Sequence, residues 1–340
     1  MSHSTIDYPP RVSLARTPTP LQPSRRVGPN LGIDLYFKRD DLTGGASSGN
    51  KIRKLEFSMA EALARKADIV LTCGGAQSNH CRATAVAAAK LGLGCRLYLR
   101  TADPKNPPPL SDNLLLDRLL GAEIVWVTPE EYKARTSMFE READSLRKQG
   151  RRPYVIPEGA SNAVGAWGYV RAFEELNEDM AHLGWNQGEA ATIVCATGSG
   201  GTAAGLLLGS KLLGANVHLV AVNVCDNREY FVQEIGKICR DFIATGGLDV
   251  KVDPSRDVDI RDGYVGRGYA LSQPAELALI REVARAEGLV LDPVYTGKAF
   301  YGLTQEIKTD PTTFGRRVIF VHTGGLLGLF PLADEIARIL

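Results

Sequence analysis

The chain has 340 residues, of which 44% are hydrophobic and 23% charged, and its formal net charge is +1. That balance excludes a disordered chain and fits two domains or one large α/β domain. No long run of one charge sign calls for a nucleic-acid or membrane-surface partner, and no apolar stretch reaches the length of a membrane span.

The N-terminus, up to about Arg26, is polar and proline-rich and lacks the apolar core of a signal peptide, so a cytoplasmic location is expected. The cysteines Cys73, Cys81, Cys95, Cys195, Cys225 and Cys239 form no C-x-x-C pair. They read as buried thiols in a reducing compartment, and no metal site is expected.

The first constellation along the chain is Gly44-Gly45-Ala46-Ser47-Ser48-Gly49-Asn50-Lys51. It starts like a P-loop, but Asn50 separates Gly49 from Lys51. The charged run Lys38-Arg39-Asp40-Asp41 also stands where an apolar strand would precede it. A nucleotide-dependent enzyme is therefore disfavoured. What remains is a lysine opening a helix expected over Ile52–Arg65. The positive end of a helix lowers an ammonium's pKa, which suits an amine that attacks a carbonyl. Taken alone, Lys51 still reads as a solvated surface lysine.

A strand is expected over Ile69–Cys73 and an alanine-rich helix over Ser78–Leu91. Between them lies Gly74-Gly75-Ala76-Gln77-Ser78-Asn79-His80. Ser78 or Asn79 would serve as a helix cap. Four adjacent polar side chains, Gln77 to His80, are nevertheless more than a cap requires. Strands are expected next over Cys95–Leu99, Glu123–Val127 and Tyr154–Pro157, with helices over Leu110–Leu120 and Pro129–Gln149. The turn Gly159–Asn162 leads into a helix over Ala163–Leu176, and Gly184–Glu189 reads as a helix-to-strand loop.

A strand over Thr192–Ala196 and a helix over Thr202–Leu213 enclose Thr197-Gly198-Ser199-Gly200-Gly201-Thr202. Free backbone N–H groups beside a helix N-terminus make an anion site. Ala203 stands where a dinucleotide fingerprint needs its third glycine, so a single phosphate monoester is the expected guest. A strand over His218–Val224 follows, and residues Thr245–Gly268 read as irregular or edge structure. After a helix over Pro274–Glu287 comes Leu291-Asp292-Pro293-Val294-Tyr295-Thr296-Gly297-Lys298, which opens a helix over Gly297–Lys308. Alone, Tyr295 reads as a buried tyrosine with a satisfied hydroxyl. The last strand, Val318–His322, runs into Thr323-Gly324-Gly325.

Strand–helix alternation of this kind predicts an α/β protein with parallel sheets covered by helices on both faces. Ligands of such sheets collect at the carboxyl ends of the strands, where the glycine-rich turns lie.

Together these runs resemble the pyridoxal-phosphate (PLP) dependent fold type II family, in the branch of 1-aminocyclopropane-1-carboxylate (ACC) deaminase and D-cysteine desulfhydrase. The matching runs are Lys38–Asp41, Gly49-Asn50-Lys51 with Arg53–Glu56, Gln77–His80, Gly159 with Ser161-Asn162, Thr197–Thr202, Leu291–Lys298 and His322–Gly325. The resemblance implies two open, twisted, mainly parallel sheets flanked by helices, like tryptophan synthase β. Residues 1–51 and 164–340 would form a large PLP-binding domain and 52–163 a small inserted α/β domain. Relatives are typically homodimers.

It also implies roles. Lys51 would be the Schiff-base lysine of PLP. Asn79 would bond the cofactor's 3′-oxygen, and the loop Gly198-Ser199-Gly200-Gly201-Thr202 its phosphate. Asn50, Thr197 and Thr323 would complete the cofactor contacts, and Thr296 would face the pyridine nitrogen. Ser78, Tyr295 and Tyr269 would act on a small amino-acid substrate, with Gln77 and Asn79 helping to bind it. ACC deaminases carry glutamate after the tyrosine, and tend to carry it where Gly268 stands. Thr296 and Gly268 therefore favour β-elimination over ring opening. The expected activity is D-cysteine desulfhydrase, giving hydrogen sulfide, pyruvate and ammonia, with Lys51 or Ser78 taking the Cα proton. L-cysteate sulfo-lyase, with Arg267 recognising an anionic group, and an ACC deaminase-like enzyme are the alternatives. A non-catalytic PLP- or phosphate-binding protein is the alternative of another class, and keeping both Lys51 and Ser78 speaks against it.

Overall fold

The structure, a computed structural model, describes residues 6–185 and 187–340. Its strands are β1 (Leu21–Pro23), β2 (Asp34–Lys38), β3 (Ile69–Gly75), β4 (Gly94–Arg100), β5 (Glu123–Val127), β6 (Pro153–Val155), β7 (Ala191–Thr197), β8 (Val217–Asn223), β9 (Asp259–Arg261) and β10 (Arg317–Val321). They form a six-stranded sheet of order β1-β2-β10-β7-β8-β9 and a four-stranded sheet of order β5-β4-β3-β6. Every pairing is parallel except β1 with β2.

Parallel strands buried on both faces read as continuous apolar runs, and β7, Ala-Thr-Ile-Val-Cys-Ala-Thr, is buried throughout. Alternate side chains serve opposite layers. Ile193 and Cys195 meet the helices Ala163–His182, Gly201–Leu212 and Arg228–Gly246. Val194 and Ala196 meet Pro274–Glu287 and Thr296–Thr309 on the other face. In the smaller sheet, Val70 and Leu97 pack with the helices Asn50–Ala64 and Asn79–Leu91, whereas Leu71 and Tyr98 pack with Arg135–Lys148.

The helix Asn50–Ala64 joins the two sheet systems and is buried on almost every side, including its charged residues Arg53, Lys54 and Glu56. The division expected at residue 52 falls inside its first turn. It crosses Ala163–His182 so closely that a Cβ on Gly168 would lie 2.5 Å from the carbonyl carbon and oxygen of Arg53. Gly168→Ala must therefore push the helices apart. We expect a loss of about 1–3 kcal/mol, read as a lower denaturation midpoint.

All the expected strands form. Two further ones, β1 and β2, lie where no strand is expected, and the helix Arg228–Gly246 is likewise additional. The charged run before the glycine loop turns out to begin inside a strand, because β2 ends on Lys38, whose ammonium is buried against Asp179 at 2.6 Å. A strand therefore does lead to the Gly44–Lys51 loop, through the short turn Asp40–Leu42. The single helix expected over Pro129–Gln149 is two, Pro129–Lys133 and Arg135–Lys148, because Ala134 leaves helical geometry at ψ 23°. The segment Thr245–Gly268 does carry the edge strand β9. Among the described residues no helix is long and apolar enough to cross a membrane, and no cluster of His, Cys, Asp or Glu could hold a metal ion.

Candidate active site

The ends of β3, β7 and β10, together with the helix starts that follow them, surround one cavity. The helix Asn50–Ala64 begins against its wall, where the Asn50 N–H donates to the Thr323 carbonyl at 3.0 Å. One residue on, the Lys51 ammonium donates to Asn50 Oδ1 at 3.0 Å and lies 5.8 Å from the centre of the Tyr295 ring. Burial lowers its pKa from 10.5 to about 8, against the pull of Asp292 and Glu158 in the opposite direction. The free amine therefore becomes abundant as pH rises through about 8 rather than 10.5. The rate at which apo-protein takes up PLP should climb through that range and level off above it. A rate still rising steeply at pH 10 would contradict this environment.

The phosphate loop is tied to the same helix. Asn50 Nδ2 donates to Thr202 Oγ1 at 3.1 Å, and Ser199 Oγ lies 2.8 Å from Ser161 Oγ. Gly200 caps the helix Gly201–Leu212 in the left-handed region, at φ 76°. Beneath the loop sits Lys54, fully buried, with its ammonium donating only weakly to Gly159 O at 3.3 Å and Ser161 Oγ at 3.4 Å. A Cβ on Gly201 would come within 2.7 Å of that nitrogen. Burial drives the Lys54 pKa well down, and neighbouring Lys51 adds to the effect.

These features fit PLP. A buried lysine amine with no carboxylate partner among the described residues, beside a helix N-terminus, holds a proton only where negative charge is supplied, as a phosphate dianion supplies it. Thr197 Oγ1, on the cavity wall, is buried with no hydrogen-bond partner among the described residues. Lys51 presents an amine that no acid among the described residues holds. Asn79 also lines the cavity, and its Oδ1 accepts from Asn113 Nδ2 at 3.1 Å, which leaves its amide nitrogen as the end able to donate to a guest. Lys54, which belongs to the matching run Arg53–Glu56 but has no role assigned by the resemblance, stands three residues from Lys51 and so on the same helix face.

Ser78 has two occupations: its Oγ accepts from the Cys81 N–H as helix cap, and it lines the cavity. The Tyr269 and Tyr295 hydroxyls are 2.5 Å apart. Enclosure of its hydroxyl pushes Tyr269, 39% exposed as a whole residue, up to about 12, and burial raises Tyr295 well above its ordinary value, so both stay protonated near neutrality. Lys298 fixes the turn that carries Tyr269 by donating to the carbonyls of Val265 at 2.5 Å and Gly268 at 2.7 Å. Thr323 and Gly198–Gly200 line the cavity.

Three residues are placed elsewhere. Gln77 is turned outward, bonding Ser111 at 3.2 Å and the Asn113 N–H at 3.0 Å, where it pins the start of the helix Asp112–Leu119. Thr296 is fully buried behind the wall, with its hydroxyl donating to Asp292 Oδ1 at 2.7 Å. Arg267 is exposed on a separate hollow with Ser272 and Asp334.

A parallel α/β pair with a lysine at a helix start, facing a phosphate loop, defines a PLP enzyme of fold type II, the tryptophan synthase β-like class. The profile of the family described as "Pyridoxal-phosphate dependent enzyme" matches residues 12–324, and the chain belongs to that family. Within it, the chain falls in the ACC deaminase and D-cysteine desulfhydrase branch. It is 45% identical over 337 residues, covering 96% of this chain and 81% of the relative, to an Arabidopsis thaliana "Bifunctional D-cysteine desulfhydrase/1-aminocyclopropane-1-carboxylate deaminase, mitochondrial". It is 37% identical to a Yersinia pseudotuberculosis "D-cysteine desulfhydrase", with 99% of both chains covered. A solved structure described as an "ACC deaminase homologue" superposes with a TM-score of 0.85 at 37% identity, over 97% of this chain and 96% of that one.

Proposed function

We propose that this enzyme is a D-cysteine desulfhydrase, eliminating hydrosulfide from D-cysteine to give pyruvate and ammonia. The observation that carries this reading is the turn before Tyr295. When bound, PLP supplies an electron sink for charge left at the substrate's α-carbon, strongest where an acid keeps its ring nitrogen protonated. This turn has no acid to spare. Asp292 accepts the N–H groups of Val294, Tyr295 and Thr296 at 2.8–2.9 Å and the Thr296 hydroxyl at 2.7 Å. The next candidate position is Thr296 itself, and it does not reach the cavity. A weaker sink suits a good leaving group better than a carbon–carbon bond.

The chain's groups then divide the work. Lys51, paired with no carboxylate among the described residues and with its pKa lowered to about 8, takes the Cα proton. Ser78 keeps its own hydroxyl proton while capping its helix, so it can donate to the substrate carboxylate. The Tyr269–Tyr295 pair holds a proton ready for the departing sulfur.

The second reading is ACC deaminase, an activity named for some of the relatives, alone or beside D-cysteine desulfhydrase. An anionic sulfonate substrate is less well served, because Arg267 lies away from the cavity. The test is a panel of D-cysteine, L-cysteine, L-cysteate and ACC, with pyruvate, sulfide and ammonia release measured on each. D-cysteine should be the best substrate, yielding pyruvate and sulfide in equal amounts. Faster ammonia release from ACC would replace this reading with the second.

A further inference from the structure

Two charged side chains line the cavity among the described residues, Lys51 and Glu158; His80 also lines it, and burial keeps that imidazole neutral. Glu158 sits on the short turn Glu158–Ala160, on the wall shared with an outer groove that contains Arg135 and Arg147. Its charge reaches the chemistry: it favours the protonated forms of Lys51, Tyr269 and Tyr295. On the outer side Arg135 Nε approaches Glu158 Oε2 at 3.6 Å, too far for a tight ion pair, and the carboxylate remains 41% exposed. Arg135 and Arg100 flank the Tyr132 ring, at 5.4 and 4.8 Å, and neither lines the cavity.

We propose that Glu158 sets the charge class of the substrate's β-substituent: neutral and cationic groups are accepted and anionic ones are turned away. The inference rests on the elimination reading above and extends it to 2,3-diaminopropionate, in which an ammonium replaces the thiol of cysteine. In that reaction Lys51 takes the Cα proton. The Cβ–N bond breaks, and its electron pair leaves on nitrogen as ammonia. Water then hydrolyses the released enamine to pyruvate and a second ammonia. One water is consumed and no oxidant or reductant is required.

The test uses holoenzyme and three D-amino acids of graded charge: β-chloroalanine, 2,3-diaminopropionate and cysteate. Pyruvate release gives kcat/KM for wild type, Glu158→Gln and Arg135→Gln. Glu158→Gln should raise the cysteate-to-chloroalanine ratio and lower the diaminopropionate-to-chloroalanine ratio, each by about tenfold for a unit charge in a half-buried site. Arg135→Gln should move both ratios the opposite way, which keeps the test alive if the first variant folds poorly. In the apo-protein, acylation of Lys51 read by peptide mass spectrometry should shift to lower pH in Glu158→Gln. Ratios within about twofold of wild type in both variants, with an unmoved acylation midpoint, overturn the role of Glu158. Wild type that releases pyruvate from none of the three overturns the elimination reading instead.

Discussion

Lys51→Ala should fold normally and lose at least about 10³-fold in kcat/KM, because it removes both the amine that engages PLP and the base nearest the reacting carbon. Lys54 cannot stand in for it. Although only one helical turn away, its ammonium is directed to Gly159 O and Ser161 Oγ beneath the phosphate loop. Folding should survive because, among the described residues, Lys51 makes one side-chain hydrogen bond, to its neighbour Asn50, and belongs to no ion pair. Steady-state kinetics alongside circular dichroism check both halves. A variant that keeps wild-type turnover removes Lys51 from the chemistry.

The second large effect is on stability. Arg53, 2% exposed, donates to both oxygens of Asp40, at 3.0 and 2.8 Å, and to both of Glu175, at 2.8 Å each. Lys38 joins the cluster 3.6 Å from Glu175, and the Tyr169 hydroxyl donates to Asp40 at 2.5 Å. Arg53→Met fills the space but leaves two buried carboxylates without their shared cation. The expected cost is about 3–5 kcal/mol, seen as a lower denaturation midpoint.

The damage should reach the site as well. The Thr43 hydroxyl donates to the Asp40 carbonyl at 2.9 Å and accepts the Gly49 N–H at 2.9 Å, so the network holds the loop that delivers Lys51. Acid should act similarly. Burial alone would raise the Asp40 pKa, but Arg53, Tyr169 and Thr19 hold it below 3.8. The stability it contributes is complete above that value and is lost as pH falls through the lower, folded pKa. An Arg53→Met protein as stable as wild type would mean that the cluster contributes nothing net.

Legibility in the sequence varied with the kind of signal. The central strands were plain because parallel strands are apolar on both faces, as in Thr192–Ala196. Strand β2 was hidden because its last residue is a lysine, and groups distant in sequence, Asp179, Glu175 and the Thr19 carbonyl, make that burial tolerable. The edge strands β1 and β9, three residues each, are too short to show a period. The helix Arg228–Gly246 did carry a pattern, with Phe231, Ile235, Ile238 and Phe242 on its buried face, broken in the middle by Gly236.

At the site, motif order led to Lys51, Ser78, Asn79, Tyr295 and the Gly198–Thr202 loop, all of which meet at one cavity or its rim. Side-chain direction was not legible. Thr296 is drawn behind the wall by Asp292, and Gln77 is drawn away by Ser111 and Asn113. Glu158 went unremarked, and Lys54 stood in a matching run without a role, because nothing local marks a lysine as lying beneath a loop or a glutamate as facing a cavity. That depends on how separate segments close around it.

Whether PLP joins Lys51 is read directly by one measurement. Protein loaded with PLP is reduced with borohydride, digested, and its phosphopyridoxyl peptide sequenced by mass spectrometry. The label should sit on Lys51, with the yellow imine absorbance bleached in step. Label on Lys54 or another lysine, or no label at all, would contradict the account.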